Sequence, residues 1–185
     1  KKHRKHSYLI EGWHLFEEAQ KSGQVFRHIF VLEEMVERLA SEQGLVMVSS
    51  EVLKELTDSP SPQGIVAEVE MPELTLPTDY RGKYLILEDV QDPGNLGTII
   101  RTADAARFDG VFLSEKSADI YNQKTLRSMQ GSHFHLPIWR TDVYQLCREL
   151  QEYKTPILAT TLSKESVDYK SLPHYERLAL VMGNE

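Results

Sequence analysis

The sequence predicts an α/β protein, and two observations lead to this prediction. Short apolar runs that suit strands alternate along the chain with stretches whose apolar residues recur at helical spacing. The chain has 185 residues, of which 41% are hydrophobic and 26% are charged, an ordinary balance for a globular protein. This length suffices for one large domain or two small ones.

The first predicted unit, residues 1–70, contains four strands and three helices. Gly23 is expected to end the first helix, and Ser49 or Ser50 can cap the third, because a serine oxygen accepts from the amides of a first turn. The alternation of strands and helices predicts a mostly parallel sheet. The elements are a strand at 8–10, a helix at 13–22, a strand at 29–32, a helix through 35–39, a strand at 45–48, a helix through 52–56 and a strand at 65–69.

Residues 71–82 separate this unit from the rest of the chain. The stretch holds Pro72, Pro77 and Gly82 and shows no hydrophobic period. We therefore predict a linker between two domains, residues 1–70 and 83–185.

The second unit also alternates strands with helices. Gly110 is expected to end its first helix, and Pro137 predicts that the strand around it is short or lies at a sheet edge. The elements are a strand at 84–87, a helix from Asn95, a strand at 111–113, a helix at 121–129, a strand at 134–138, a helix at 143–153 and strands at 156–159 and 178–182.

The loop after the strand at 84–87 is a candidate ligand site. It is acidic and ends in Pro-Gly, so it must turn. Asn95 suits the N-cap of the helix that follows, and Arg101 points away from the apolar stripe, where it can pair with Asp104. Open α/β sheets bind ligands at the carboxyl ends of their strands, which is where this loop lies.

The net charge bears on whether the protein can bind RNA, and the cysteine content bears on its cellular compartment. A net charge of −7 means that any RNA-binding surface must be a local basic patch. The basic start of the chain, with Arg4 and Lys5, is either a solvated end or an arm that contacts phosphates, and Arg107, Lys124 and Arg127 are further RNA-contact candidates. The single cysteine, Cys147, is interpreted as a buried helix residue and fits a reducing compartment, so we predict a cytoplasmic protein. No apolar run is long enough for a membrane span.

Two clusters were weighed as metal sites, and no metal is predicted. The acidic loop holds Glu88, Asp89 and Asp92 but offers no further ligand at suitable spacing. His133 and His135 would share one face of a predicted strand, but no third ligand lies nearby. Positions facing solvent or RNA suit these histidines better.

The second unit resembles a known family. Residues 92–105, Asp-Pro-Gly-Asn-Leu-Gly-Thr-Ile-Ile-Arg-Thr-Ala-Asp-Ala, resemble the first signature motif of the SpoU family of RNA 2′-O-ribose methyltransferases in the SPOUT superfamily, and residues 181–185 resemble the opening of its second motif. A third motif, which completes the trefoil knot, would follow residue 185, so the knot segment is expected to be missing from this sequence. Residues 9–12 and 62–66 resemble the first and last strands of the L30e-like substrate-binding domain that precedes many SpoU catalytic domains.

The resemblance implies a methyl transfer from S-adenosylmethionine to a ribose 2′-hydroxyl of RNA by a homodimer, with ribosomal RNA favoured over transfer RNA. It assigns catalytic positions to Asn95, Arg101 and Glu185. Whether Arg101 acts as a base or stabilises negative charge stays open, because a guanidinium normally remains charged. The alternative function is an RNA-binding protein of the same fold without catalysis. The implied cofactor-binding residues are Thr160, Thr161, Leu162, Gly183 and Asn184.

Overall fold

The computed structural model describes residues 6–39 and 42–183, and in these ranges the chain forms two β-sheets with helices packed on them. The predicted α/β class is confirmed. One sheet has four strands and lies within residues 7–70, and the other has five strands and lies within residues 83–183. The 71–82 stretch between them contains no helix or strand. The exact domain limits stay a prediction.

The four-stranded sheet has the order β1-β4-β2-β3. Strand β4 is antiparallel to both of its neighbours, and only the β2–β3 pair is parallel, so the prediction of a mostly parallel sheet is wrong for this unit. The reason is that β1 and β2 do not pair with each other. Strand β4 lies between them and runs antiparallel to both. The elements are β1 (Ser7–Glu11), α1 (Trp13–Lys21), β2 (Phe26–Val31), a 3₁₀ helix (Glu33–Leu39), β3 (Leu45–Met47), α2 (Ser50–Leu56) and β4 (Ile65–Glu70).

The five-stranded sheet has the order β7-β6-β5-β9-β8, and every neighbouring pair is parallel. All of its strands therefore end at one edge, which we call the carboxyl edge. The elements are β5 (Lys83–Glu88), α3 (Pro93–Ala105), β6 (Gly110–Leu113), α4 (Gln123–Met129), a 3₁₀ helix (Ser132–Phe134), β7 (Ile138–Arg140), α5 (Val143–Glu152), β8 (Ile157–Ala159), a 3₁₀ helix (Tyr169–Ser171) and β9 (Leu178–Gly183).

Two local predictions in this unit are wrong. The predicted strand at 134–138 begins only at Ile138, because a 3₁₀ turn precedes it and Pro137 has no amide to donate to a ladder. The resulting strand β7 does lie at the sheet edge. Helix α3 ends at Ala105, where Arg107 takes a φ of 58°, whereas Gly110 begins strand β6 close to the ring of Trp139.

Helices cover both faces of the five-stranded sheet, and each face has its own apolar core. On the first face, α3 and α4 pack against the N-terminal unit, and one core runs through both units from Ile10 to Leu96 and Leu126. On the second face, α5 packs over Tyr80 and Phe112. Because burying such a side chain stabilises a fold by about 1.5–3 kcal/mol, the shared core holds the two units together.

Polar contacts reinforce the shared core. The hydroxyl of Tyr8 lies 3.0 Å from Nε2 of His133, and Nε2 of Gln123 donates to the carbonyl oxygen of Leu9 at 2.9 Å. Each bond joins strand β1 of the first unit to residues on or after helix α4 of the second. These two hydrogen bonds fix the position of α4 relative to the N-terminal sheet. Because α3 packs on α4, they also fix the position of α3.

The described helices are all too short or too polar to cross a bilayer. Cys147 lies on α5 as predicted but is only half-buried. Its burial raises the pKa of its thiol, which disfavours the reactive thiolate.

Candidate active site

The register of the five-stranded sheet brings three strand ends together. Glu88, the last residue of β5, pairs with Gly183, the last residue of β9, and Ala159 at the end of β8 pairs with Val181. The loops after β5 and β8 therefore both start at the carboxyl edge, one on each side of the end of β9. This is the part of a parallel sheet where α/β proteins bind ligands.

Asp92, and not Asn95, caps helix α3. Oδ1 of Asp92 accepts a hydrogen bond of 2.7 Å from the amide of Asn95, and Pro93 occupies the first helical position. The prediction of Asn95 as N-cap is wrong because proline has the φ of a helix and no amide to satisfy, so the cap lies three residues earlier. The Asn95 amide also lowers the pKa of the Asp92 carboxyl. The side chain of Asn95 is exposed in the first turn of the helix.

Arg101 lies on the exposed side of α3, opposite the buried residues Leu96 and Ile100. The predicted pairing with Asp104 is wrong, because Oδ2 of Asp104 lies 3.1 Å from Nδ1 of His135. Within residues 6–39 and 42–183, the Arg101 guanidinium makes no ion pair or side-chain hydrogen bond. Its charge is thus available to a ligand.

Helix α4 brings a second cation to the start of α3. The two helices approach closely at Gly97, where a Cβ would lie 2.7 Å from the carbonyl oxygen of Thr125. Lys124 Nζ consequently comes within 3.5 Å of Asp92 Oδ2. Arg127 is exposed one turn further along α4, whereas Arg107 is exposed beyond the opposite end of α3 and is not brought to the carboxyl edge.

The predicted cofactor residues that the structure describes all lie at this edge. Thr160, Thr161 and Leu162 follow β8 directly, and Leu162 is 96% exposed. The amide of Thr160 still donates to the carbonyl of Val181 at 3.0 Å, which keeps the loop beside β9 and Gly183. The predicted residues Asn184, Glu185, Arg4 and Lys5 lie outside the described residues.

Glu88 and Tyr144 form a pair at this edge that sequence reasoning missed. The Tyr144 hydroxyl on α5 donates to the Glu88 carboxylate, and this bond raises the pKa of the tyrosine. Oε2 of Glu88 lies 3.6 Å from where a Cβ on Gly183 would stand. The position of Glu88 at a strand end was the one signal in the sequence, but nothing there pointed to Tyr144 as its partner.

The residues weighed as metal ligands have other contacts. Within the described ranges, no group of three or more His, Cys, Asp or Glu side chains is arranged to hold a metal ion. His133 and His135 do not share a strand face, because they lie in and directly after a 3₁₀ turn and not on a strand. Burial lowers the pKa of His133 to about 3, and His135 lies between Asp104 and Glu18.

Comparison with known proteins decides the family. Residues 82–185 match the model of the SpoU rRNA Methylase family. The chain belongs to this family. Residues 1–67 match the model of an MRM3-like substrate binding domain. The resemblance found in the 92–105 motif is thus confirmed, and so is the predicted enzyme class.

Named relatives of this SpoU chain are rRNA methyltransferases. The chain is 42% identical over 181 residues to the 23S rRNA (guanosine(2553)-2′-O)-methyltransferase RlmP of Bacillus subtilis, a match that covers 97% of this chain and 72% of the relative. It is 34% identical over 142 residues to the mitochondrial rRNA methyltransferase 3 of Homo sapiens, which covers 70% of this chain and 34% of that protein. The chain therefore spans most of the bacterial relative and about a third of the human one.

Solved structures share the two-unit arrangement. The AdoMet-bound rRNA methyltransferase from Sinorhizobium meliloti superposes with a TM-score of 0.80 at 29% identity, over 96% of this chain and 70% of that chain. The SpoU methyltransferase AviRb from Streptomyces viridochromogenes, in complex with AdoMet, gives a TM-score of 0.79 at 26% identity, over 97% of this chain and 74% of that chain.

Proposed function

We propose that this SpoU protein transfers the methyl group of S-adenosylmethionine to a ribose 2′-hydroxyl of ribosomal RNA. The observation that carries the proposal is the position of Arg101, which lies exposed on α3 and, within residues 6–39 and 42–183, makes no ion pair or side-chain hydrogen bond. Ribosomal RNA is favoured over transfer RNA because the relatives at 42% and 34% identity are named for rRNA.

The described residues fit the cofactor. The loop after β8 offers two threonine hydroxyls and the exposed side chain of Leu162, which suit a polar sugar and an apolar base surface. The Glu88 carboxylate at the end of β5, on the other side of β9, suits a positively charged group. When bound, S-adenosylmethionine supplies an electrophilic methyl group on a sulfonium. Gly183 and the predicted Asn184 would complete the cofactor side.

Arg101 is proposed to act on the RNA. A ribose hydroxyl is a weak nucleophile and must lose its proton as the methyl group arrives, so negative charge develops on its oxygen. Because a guanidinium stays charged and donates several hydrogen bonds, Arg101 stabilises this charge and holds a neighbouring phosphate instead of accepting the proton. The proton passes to solvent water, and the methyl donor leaves as the neutral thioether S-adenosylhomocysteine. The amide side chain of Asn95 can bond the same nucleotide, and Glu185 is a proposed third catalytic residue.

The proposed RNA path continues along the exposed side of α4. Lys124 and Arg127 offer two cations on this helix, beyond the start of α3. Cations so placed bind the RNA backbone without reading sequence. Arg107 contacts a more distant phosphate in this proposal, and Arg4 and Lys5 contribute from the N-terminal arm.

The test of the function is product analysis with the complete protein. Ribosomal RNA lacking modifications is incubated with the protein and labelled S-adenosylmethionine, digested to nucleosides and analysed by mass spectrometry. We expect a single 2′-O-methylnucleoside. Methyl label on a base, or RNA binding without cofactor binding in calorimetry, would contradict the proposal, and the second result would favour a non-catalytic RNA-binding role.

We also propose a homodimer in the cytoplasm. Large exposed side chains near the carboxyl edge support the dimer, since Tyr144, Leu162, Val167 and Tyr169 are each at least 66% exposed and such surface favours association. Light scattering of the complete protein should give twice the monomer mass, and a monomer at micromolar concentration would contradict the proposal. The compartment stays a prediction from the single cysteine.

A further inference from the structure

Asp89 has a backbone conformation that its position in the chain does not explain. Its φ is 53°, in the left-handed region that non-glycine residues rarely adopt. The other described non-glycine residues with positive φ, Arg107, Gln130 and Lys154, lie at the ends of helices, where such a residue reverses the chain. Asp89 instead follows strand β5, at the start of the loop that leads to α3.

Side chains from the segment that follows strand β6 hold Asp89 in this conformation. The Ser114 hydroxyl accepts from the Asp89 amide at 2.8 Å and donates to its Oδ1 at 2.7 Å. The Ser117 hydroxyl lies 3.0 Å from that of Ser114, and both serines are buried. One residue further on, the carbonyl of Val90 accepts from the amide of Ala118 at 2.9 Å. The loop after β5 is therefore fixed to residues 114–118.

Residues 114–118 are in turn held by Arg140, at the end of β7. Its Nη1 donates to the carbonyl oxygens of Ser114 at 2.8 Å, Glu115 at 3.2 Å and Ser117 at 2.8 Å, and its Nη2 donates to that of Ala118 at 2.7 Å. A guanidinium can serve four carbonyls in this way because it carries five donors in one plane, whereas lysine has three donors on one atom.

We propose that Arg140 is a positioning residue for methyl transfer. It fixes residues 114–118, which hold Asp89 and Val90, and these residues set the direction in which α3 leaves the carboxyl edge with Asn95 and Arg101. Arg140 acts through these contacts and touches no reacting atom. The proposal rests on the proposed function, and misplacing a catalytic group by about 1 Å can cost a hundredfold in rate.

The first experiment compares Arg140→Ala with Arg148→Ala, an exposed arginine on α5, in the complete protein. For Arg140→Ala we expect kcat to fall about tenfold or more while the Kd for S-adenosylmethionine stays within about twofold. The Ala118 amide should exchange hydrogen faster, and Arg148→Ala should match the wild type. A kcat within about threefold of wild type, or a cofactor Kd that worsens in proportion to kcat, would overturn the proposal.

A second pair separates positioning from direct chemistry. Asp89→Asn keeps an acceptor at Oδ1 and tolerates positive φ, whereas Asp89→Ala loses both. We expect the asparagine variant to retain most of kcat and the alanine variant to lose about tenfold. Equal losses would mean that the Asp89 charge acts directly, which overturns the positioning role.

Hydrogen exchange tests the role of Arg140 independently of whether the protein methylates RNA. If the wild-type protein methylates no RNA, the proposed function fails and exchange alone decides the role of Arg140. Faster exchange at Ala118 and Asn95 in Arg140→Ala then supports only the part of the proposal in which Arg140 fixes residues 114–118 and the start of α3, and unchanged exchange at both amides overturns the proposal.

Discussion

Helix α3 separates two regions of opposite character. On its closed side, which comprises the contacts of α3 and α4 with each other and with the N-terminal unit, polar groups such as Tyr8 and His133 are buried and bonded. At the carboxyl edge Asn95 and Leu162 are exposed, and Arg101 is exposed further along α3. The difference indicates a division of labour, in which residues of the closed side stabilise the fold and those of the carboxyl edge are available to ligands.

The largest expected effect is on the rate of methyl transfer in Arg101→Ala. Loss of a charged donor beside a developing negative charge should lower kcat about 10²- to 10³-fold. The free energy of unfolding should change by less than about 0.5 kcal/mol, because the side chain is exposed and has no ion pair or side-chain hydrogen bond with the described part of the chain. Steady-state kinetics and urea unfolding measure the two quantities.

The matched control is Arg148→Ala, which removes an exposed arginine from α5. It should leave both the rate and the stability at wild-type values. An Arg101→Ala protein that transfers methyl at the wild-type rate would show that the catalytic residue lies elsewhere.

A Gly97→Val substitution on the closed side should mainly lower the free energy of unfolding, whereas Arg101→Ala should mainly lower the rate of methyl transfer. The added side chain would meet Thr125 and Ser128 on α4 and separate the two helices. Urea unfolding should show a loss of roughly 3 kcal/mol, within the range of overpacked cores. Thr98→Val, which places the same valine side chain at the next, exposed position, is the control. Equal stability of the two variants would contradict the close packing of α3 on α4.

Acid should destabilise the closed side through His133. Its pKa is about 3 in the folded protein and near 6.5 when unfolded, so below pH 6.5 the unfolded state binds a proton that the folded state does not. Stability is therefore complete above pH 6.5 and falls as the pH drops toward 3. We expect His133 to account for up to roughly 3 kcal/mol of this loss at pH 4.

The variant that isolates this effect is His133→Gln, which does not titrate. Its stability, measured by urea unfolding from pH 7 to pH 4, should fall by correspondingly less than that of the wild type. Parallel curves for the two proteins would show that His133 is not buried in its neutral form.

The smallest expected effect is at the start of α3. Asp92→Ala removes the cap that accepts from Asn95 and should lower the stability slightly. Because the pKa of Asp92 is lowered in the folded state, its contribution is present above the normal carboxyl pKa and lost as the pH falls below it. Asp92→Asn, which also caps helices, should restore most of the stability at pH 7. A loss in the asparagine variant equal to that in alanine would contradict the capping role.

The sequence predicted most elements of the fold because their signals are local. Helical periodicity placed α1, α3 and α5, and apolar runs placed β5, β6 and β9. The direction of β4 was not predictable, since alternation of elements does not say which strand fills the gap between β1 and β2. The prediction of a strand at 134–138 was wrong because its apolar residues lie in or just after a 3₁₀ turn and pack in the core shared with the N-terminal unit.

The part of the candidate site that lies within one continuous motif was predictable from the sequence. The stretch 92–105 pointed to Asn95 and Arg101, although the helix proved to be capped by Asp92. The partners of the motif were not predictable, because Ser114, Arg140 and Tyr144 come from distant parts of the chain and join it only through the parallel sheet. Single-sequence patterns carry no information about such contacts.

The most direct test of this division is hydrogen exchange of the complete protein with and without S-adenosylmethionine and ribosomal RNA. We predict that the cofactor protects amides in residues 160–162 and at Gly183, that RNA protects the exposed side of α3 around Arg101, and that exchange on the closed side around His133 is unchanged. Protection confined to the closed side, with none at the carboxyl edge, would contradict the account.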